Sequence, residues 1–388
     1  MRCLTNRLAG RLTCPAAGIE PDMQVAIIGL ARSGKTTVFN TLTGGAAETG
    51  GFGGVTVNVG VVKVPDERLT RLTELYKPKR EVPADVTYVD LPAPPLSPDG
   101  REPAEIPADQ LARLRTADEL LHVVRAFDDP SVAHPLGAVD PGRDVEQLDL
   151  EFLLADLAVV ERRIEKLNTS GRHGTPAERE ANEQELELLE RVVGPMREGV
   201  PLRDVALSDD ESRRLRGFRF LTEKPVLLLL NIGEADIPRA SELVEEFAGR
   251  YRHSHTQVEA LSARIEMEIG QLEPDEAAVF RADLGLTEAS LERVIRLSYR
   301  LLGLISFFTV GPDETRAWTI PDGSTAVDAA GAIHTDLAHG FIRAEVVNWE
   351  DLLRVGSEAE AKKHALMRTE GKAYQVKDGD VLHVLHSG

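Results

Sequence analysis

The sequence predicts an α/β fold: a phosphate-loop NTPase domain on a mostly parallel sheet, split by a helical hairpin and followed by a small β-rich domain. Three observations predict it. Short apolar runs rich in β-branched residues alternate with helical patterns, as buried parallel strands and their crossover helices do. The pattern Gly29-x-x-x-x-Gly34-Lys35-Thr36 stands between one such run and a helix. Between residues 148 and 200 the apolar spacing changes to heptads.

In chain order, "MQVAIIGL" reads as the first buried strand, and "KTTVFNTLTG" as a helix that closes at Gly44-Gly45. Further strands are "VTVNVGVVKV", "DVTYVDL", "ELLHVVRAF", "KPVLLLLN" and "HTQVEALSA". Leu153, Leu157, Val160, Ile164 and Leu167 step by 4, 3, 4 and 3, and after "NTSGRHGTPAERE" Leu186, Leu189, Val193 and Met196 step by 3, 4 and 3. Two helices joined by a Gly/Pro loop make an antiparallel coiled-coil hairpin, the first of about 20 residues and roughly 30 Å. It is either a contact arm or a short insertion packed on its parent domain. Because "KPVLLLLN" returns to a core strand, the α/β domain is discontinuous, 23–147 and 205–303 around an arm at 148–204. From residue 304, short strands "FFTVG", "RAWTI", "FIRAEVV" and "AYQVKDGDVLHVL" form a third unit, 304–388, with Asp378-Gly379 as a tight turn between two strands.

Composition bounds the function. A chain of 388 residues exceeds one hydrophobic core. No apolar run reaches the roughly 20 residues that span a bilayer. Acids outnumber bases 64 to 45, a net charge of −19, which argues against a general binder of nucleic acid or anionic membrane and leaves a local basic patch open. The only cysteines, Cys3 and Cys14, leave the folded body without a disulfide framework, as in a reducing cytoplasm. Residues 1–22 carry Arg2, Arg7 and Arg11, no acid before Glu20, and no secretory apolar core. They read as a disordered extension, as a start assigned too early before Met23, or as a regulatory arm.

The phosphate loop carries the chemistry. Gly29 and Gly34 let backbone N–H groups converge on phosphate, with Arg32, Ser33 and Thr37 in the same loop and first helical turn. Lys35 is expected to reach the β- and γ-phosphates and Thr36 to ligate Mg²⁺, with Asp90 at the end of "VTYVD" as the second metal-holding group. Where a guanine reader has Asn-Lys-x-Asp, this chain has Asn231-Ile232-Gly233-Glu234. A longer carboxylate on a different reach does not reproduce the paired bonds to guanine, so ATP is the expected nucleotide. Ser262-Ala263 forms the last base-proximal loop. Phe127 either packs on the base or belongs to the core.

These motifs, together with "NVGVVKVPDERL", "HVVRAFDD", "VDPGRDVEQLDLEFLLADL", "LSDDESRRLRGFRFLTEKPVL" and "ETRAWTI…AAGAIHTD…GFIRAEV…EGKAYQVKDGDV", resemble the Obg-like ATPases of the YchF type from Met23 to the C-terminus. The resemblance implies a translation-factor-related P-loop protein that prefers ATP, with an inserted coiled coil and a C-terminal TGS domain of β-grasp fold. It also implies Mg²⁺ and K⁺ as cofactors, the ribosome or RNA as partner through arm and TGS-like domain, and a role in stress regulation. It implies no glutamine at the water-orienting position, and a catalytic histidine that His134 matches.

The chain departs from the family pattern where γ-phosphate is sensed. Ala31-Arg32-Ser33 stands for Pro-Asn-Val, and Asp90-Leu91-Pro92-Ala93-Pro94-Pro95 for Asp-x-Ala-Gly. Gly54 aligns with the switch I threonine, with Thr56 the nearest hydroxyl. Prolines restrict φ and the residues before them, so switch II is stiffened. His134 either positions a water or is a loop histidine before a turn proline. Arg32 is either a cis arginine finger or a solvent-facing side chain. Three functions compete: a slow ATPase engaging a ribosomal or RNA partner, a nucleotide sensor without hydrolysis, and a scaffold that has lost nucleotide binding, against which the intact loop argues. GTP is the alternative nucleotide, and a monomer the expected state.

Overall fold

The strand β1 (Gln24–Ile28) is buried along nearly its whole length, as "QVAII" requires. The computed structural model describes residues 23–45, 57–93, 106–170, 174–286 and 289–387. Cys3, Cys14, Gly54, Thr56, Pro94 and Pro95 lie outside them, so the expectations for residues 1–22 and for the switch I threonine fall there too. After β1 come α1 (Lys35–Thr43), β2 (Asn58–Lys63), α2 (Glu67–Tyr76), β3 (Arg80–Val82), β4 (Asp85–Asp90), α3 (Ala108–Thr116) and β5 (Glu119–Ala126). Then follow α4 (Pro141–Ser170), α5 (Pro176–Arg197), β6 (Val226–Ile232) and β7 (Thr256–Leu261).

Met23–Val62 and Val86–Leu302 form the first body. Its six-stranded sheet has the order β2-β4-β1-β5-β6-β7, with β4, β1, β5, β6 and β7 parallel. Every residue of β6 is buried, and all but the last of β5. Strand order reverses around β1, whose neighbours β4 and β5 both follow it in sequence, so the crevice for a ligand opens beyond the carboxyl end of β1. Among the described residues no helix is long and apolar enough to cross a membrane.

The hairpin is longer than its heptads suggest. Helix α4 has 30 residues, about 45 Å, against the 20 or so expected, and starts at Pro141 rather than near 148. The reason is a change of partner along one helix. Val145, Leu148 and Phe152 pack into the core of the sheet, whereas Leu153, Val160 and Leu167 meet Leu189, Val193 and Met196 of α5. Arg163 makes a two-pronged contact with Glu185 across the pair, at 2.7 Å on each prong. Helix α5 begins with a reciprocal cap between Thr175 and Glu178 and a proline at its start. Thr175→Ala is expected to cost about 1 kcal/mol locally, seen as faster amide exchange in the first turns of α5. Unchanged exchange there would show that the arm does not rely on the cap.

The second body joins Lys63–Asp85 to Gly303–Gly388. Its strands β8 (Leu304–Thr309), β9 (Glu314–Pro321), β10 (Phe341–Asn348), β11 (Arg368–Glu370) and β12 (Asp380–His386) form, with β3, a mixed sheet of order β11-β10-β12-β8-β9-β3. Strands β8 and β12 are parallel neighbours at its centre, and the helix Ala326–Ile333 buries Ala326, Ala329 and Ala330 against Phe307, Phe341, Val346 and Leu382. This is a β-grasp arrangement.

Two expectations need correction here. Residues 63–85 do not group with the nucleotide domain, because β3 pairs in parallel with β9, and Arg68 of α2 bonds Asp378 at 2.7 Å while lying over the Phe308 ring. Asp378-Gly379 does turn, with Gly379 at φ 87°, but it does not join two paired strands. The stretch before it makes only an isolated bridge, Gln375 to Thr325, and Asp378 instead accepts the Ser306 N–H at 3.0 Å.

Candidate nucleotide site

The phosphate loop is built by close backbone approach. Gly29 has φ 141°, and a Cβ there would lie 2.3 Å from the Val123 carbonyl oxygen of β5. Gly34, at φ 95°, is the N-cap of α1, so no capping side chain competes for the first-turn amides. A Cβ on Gly34 would meet Asn231 Nδ2 at 2.3 Å. That amide donates to the Ser33 carbonyl at 2.9 Å, while Asn231 Oδ1 accepts from Ala263 N–H at 3.0 Å. Asn231, from the end of β6, thus braces the loop against the Ser262-Ala263 turn. Ser33 is buried, and the Thr37 carbonyl accepts the Thr41 hydroxyl within α1.

Lys35 is 7% exposed and donates to the Leu30 carbonyl at 3.2 Å. Burial pushes its ammonium down to about 8 although Asp90 pulls the other way. His122 of β5 pairs with Ile28, the residue before Gly29, and lies close enough to Lys35 to feel its charge. Its ring is buried, Nε2 has no hydrogen-bond partner, and burial first, then Lys35, push it down to about 3, so it is neutral. Sequence reasoning passed over His122; a histidine inside the apolar run "LLHVV" was the available signal.

The Thr36 hydroxyl donates to Asp90 Oδ2 at 2.9 Å, and Asn58 Nδ2 donates to the same oxygen at 3.3 Å. Asp90 Oδ1 is buried with no hydrogen-bond partner. A hydroxyl beside a carboxylate whose second oxygen is orphaned is a hard, oxygen-donor set that fits Mg²⁺. The start of switch II is pinned: Leu91 is buried in the core, its N–H bonds the Ile27 carbonyl, and the Pro92 carbonyl accepts from Gln110.

The loop after β5 departs from the sequence expectation at two residues. His134 is buried rather than facing the crevice. Its Nδ1 accepts Leu136 N–H at 3.1 Å, which places the hydrogen on Nε2, and that donates to Asp144 Oδ2 at 2.9 Å. Both ring nitrogens are therefore engaged, so in this conformation the ring positions no water. Arg32, exposed and in a left-handed conformation at φ 63°, donates to the Ala133 carbonyl at 2.9 Å. It is neither a free solvent-facing side chain nor aimed at the phosphate loop. The buried Arg125, which the sequence reading did not single out, bonds the Phe127 and Val132 carbonyls at 3.2 and 2.8 Å.

At the base-proximal end, Glu234 is exposed at the start of a short 3₁₀ helix, Glu234–Arg239. Ser262 and Ala263 are buried. Ile232 belongs to the core, so its side chain does not make the ligand contact expected of it. Phe127 is half-buried with the Arg125 guanidinium 4.5 Å over its ring.

Two family models match this chain. One described as a 50S ribosome-binding GTPase covers residues 24–166, and the YchF-GTPase C-terminal model, described as a protein of unknown function, covers 304–387. The "Ribosome-binding ATPase YchF" of Bacillus subtilis is 37% identical over 365 residues, 93% of this chain and 98% of that one. The chain belongs to the YchF family. The YchF protein of Pasteurella multocida, of the same printed name, is 38% identical over 361 residues, covering 92% of this chain and 97% of its own. The structure of the Schizosaccharomyces pombe YchF GTPase superposes with a TM-score of 0.81 at 29% identity, over 96% of this chain and all of that one. The YchF architecture thus accounts for both bodies and for the helical hairpin.

Proposed function

We propose that this protein binds ATP with Mg²⁺ and hydrolyses it slowly, ATP + H₂O → ADP + phosphate, as a ribosome-linked regulator. The observation that carries the reading is the Thr36–Asp90 bond beside Lys35, with Asp90 Oδ1 buried and unpaired. The names of the relatives, ribosome-binding ATPases, support both the nucleotide and the partner. Glycine-shaped backbone and the open N-terminus of α1 receive the phosphates. Lys35, protonated at neutral pH, balances their charge once it leaves the Leu30 carbonyl. Thr36 and Asp90 would hold Mg²⁺, which supplies charge neutralisation at the phosphates. The exposed Glu234 carboxylate accepts the exocyclic amine of adenine, a donor that guanine lacks at that position, with Phe127 as the packing surface for the base. K⁺ is the monovalent cofactor we assign, and arm and β-grasp body are the surfaces we assign to the ribosome.

A second reading, a nucleotide sensor without hydrolysis, is favoured by one observation: His134 has both nitrogens engaged while switch II is pinned through Leu91 and Pro92. Titrating ATP and GTP into the full chain with Mg²⁺, then following a single turnover with and without K⁺, separates the two. The first reading expects tighter ATP than GTP, slow phosphate release, and, if the His134 ring leaves Asp144 during the cycle, loss of that release in His134→Ala with binding retained. ATP returned intact by both proteins would establish the sensor. Failure to sediment with ribosomes in either nucleotide state would remove the partner assignment.

A further inference from the structure

Asn58 opens β2, the neighbour of β4 in the sheet, and its amide reaches the carboxylate at the end of β4. Asp90 Oδ2 accepts two hydrogen bonds, from the Thr36 hydroxyl at 2.9 Å and from Asn58 Nδ2 at 3.3 Å. With both donors on one oxygen, the carboxylate is held by that end and the other oxygen, Oδ1, is presented buried and without a partner. An orphaned buried acceptor is unfavourable, and that cost is offset when a cation or its water is bound there.

We propose that Asn58 is a positioning residue of the metal centre, which acts through Asp90 and not on the nucleotide. The inference rests on the reading that Thr36 and Asp90 hold Mg²⁺. The Thr36 hydroxyl alone gives Asp90 one anchor, and the carboxylate can turn about its last torsion to exchange the two oxygens. The second donor, from a different strand, removes that freedom. Partners that orient metal-holding groups in this way are typically worth 10–100-fold in metal affinity. Val59 is apolar and Gly60 has no side chain, so the first half of β2 offers the site no other hydrogen-bonding side chain.

The test is the metal dependence of nucleotide affinity in the full chain. ATP is titrated calorimetrically with Mg²⁺ and again with EDTA, and the ratio of the two affinities reports what the metal contributes. In Asn58→Ala this ratio is expected to fall by roughly 10-fold or more while the affinity in EDTA is unchanged. Binding of Mn²⁺ to the nucleotide complex, followed by electron paramagnetic resonance, is expected to weaken in parallel. An unchanged ratio overturns the proposal. So does an equal fall in both media, which would make Asn58 a packing residue of the strand. Asp90→Asn separates this inference from the reading beneath it. If that variant keeps the wild-type ratio, the metal assignment of Asp90 fails; if it loses the ratio while Asn58→Ala keeps it, only the role of Asn58 fails.

Discussion

Gly29→Ala is expected to reduce ATP affinity by more than about 100-fold and to destabilise the first body by about 3 kcal/mol. The glycine sits at φ 141°, and the added Cβ would be 2.3 Å from a backbone oxygen of β5, not from a side chain that can turn away. Relief requires β1 or β5 to shift, and both carry the phosphate loop and its floor. A thermal midpoint lowered by roughly 6–12 °C in calorimetry is the stability readout. Gly44→Ala is the control: Gly44 has φ 61° with nothing within 4 Å of its Cβ position, so only the left-handed penalty of about 1 kcal/mol applies. Equal effects of the two substitutions, or ATP affinity in Gly29→Ala within a few-fold of wild type, would refute the close-approach argument.

What could be read from sequence is what is local or fully buried. The strands β1 and β6 stand out because both faces are covered, which leaves long apolar runs, and the phosphate loop because the contiguous stretch Gly29–Thr36 makes it. Grouping was harder. Three-residue β3 pairs with β9, more than 200 positions away, and such a pairing leaves no period in either segment. The heptads of α4 begin at Leu153 because the turns before it face the sheet core and not α5, so the pattern marks where the partner changes and not where the helix starts.

In the site, motif residues fell into place while the residues that hold them did not. Asn58, His122 and Arg125 look like ordinary interruptions in strands, and only their side-chain contacts show that Asn58 bonds Asp90, His122 feels the Lys35 charge and Arg125 holds the loop after β5. His134 shows the converse. Its position in a motif suggested a group open to the ligand, yet Asp144, in the first turn of α4, draws the ring inward. An acid ten residues on at a helix start was a readable signal for that pair.

Lys35→Met is expected to make the nucleotide-free protein more stable and unable to bind ATP. The ammonium is buried against the Leu30 carbonyl, and burial lowers it from 10.5 to about 8. A lysine whose folded value lies below its unfolded value penalises the fold fully at pH below about 8, and the penalty is relieved as pH rises from 8 towards 10.5. The displacement corresponds to about 3 kcal/mol for a group this buried. Methionine matches the stem and removes the charge, so at pH 7 the variant should gain roughly 2 kcal/mol in urea unfolding. Lys224 is also lowered to about 8, chiefly by burial, and titrates in the same window, so the difference between wild type and variant across pH 7–10 isolates Lys35. That difference should shrink as pH rises. ATP affinity should fall at least about 1,000-fold, since the phosphates lose the one buried cation of the loop. A variant no more stable than wild type at pH 7, with the same slope to pH 10, would mean that the amine is not desolvated in solution. The site then would not be holding a charge in readiness for phosphate, and the stability sacrificed at Lys35 would no longer count as a signature of nucleotide binding.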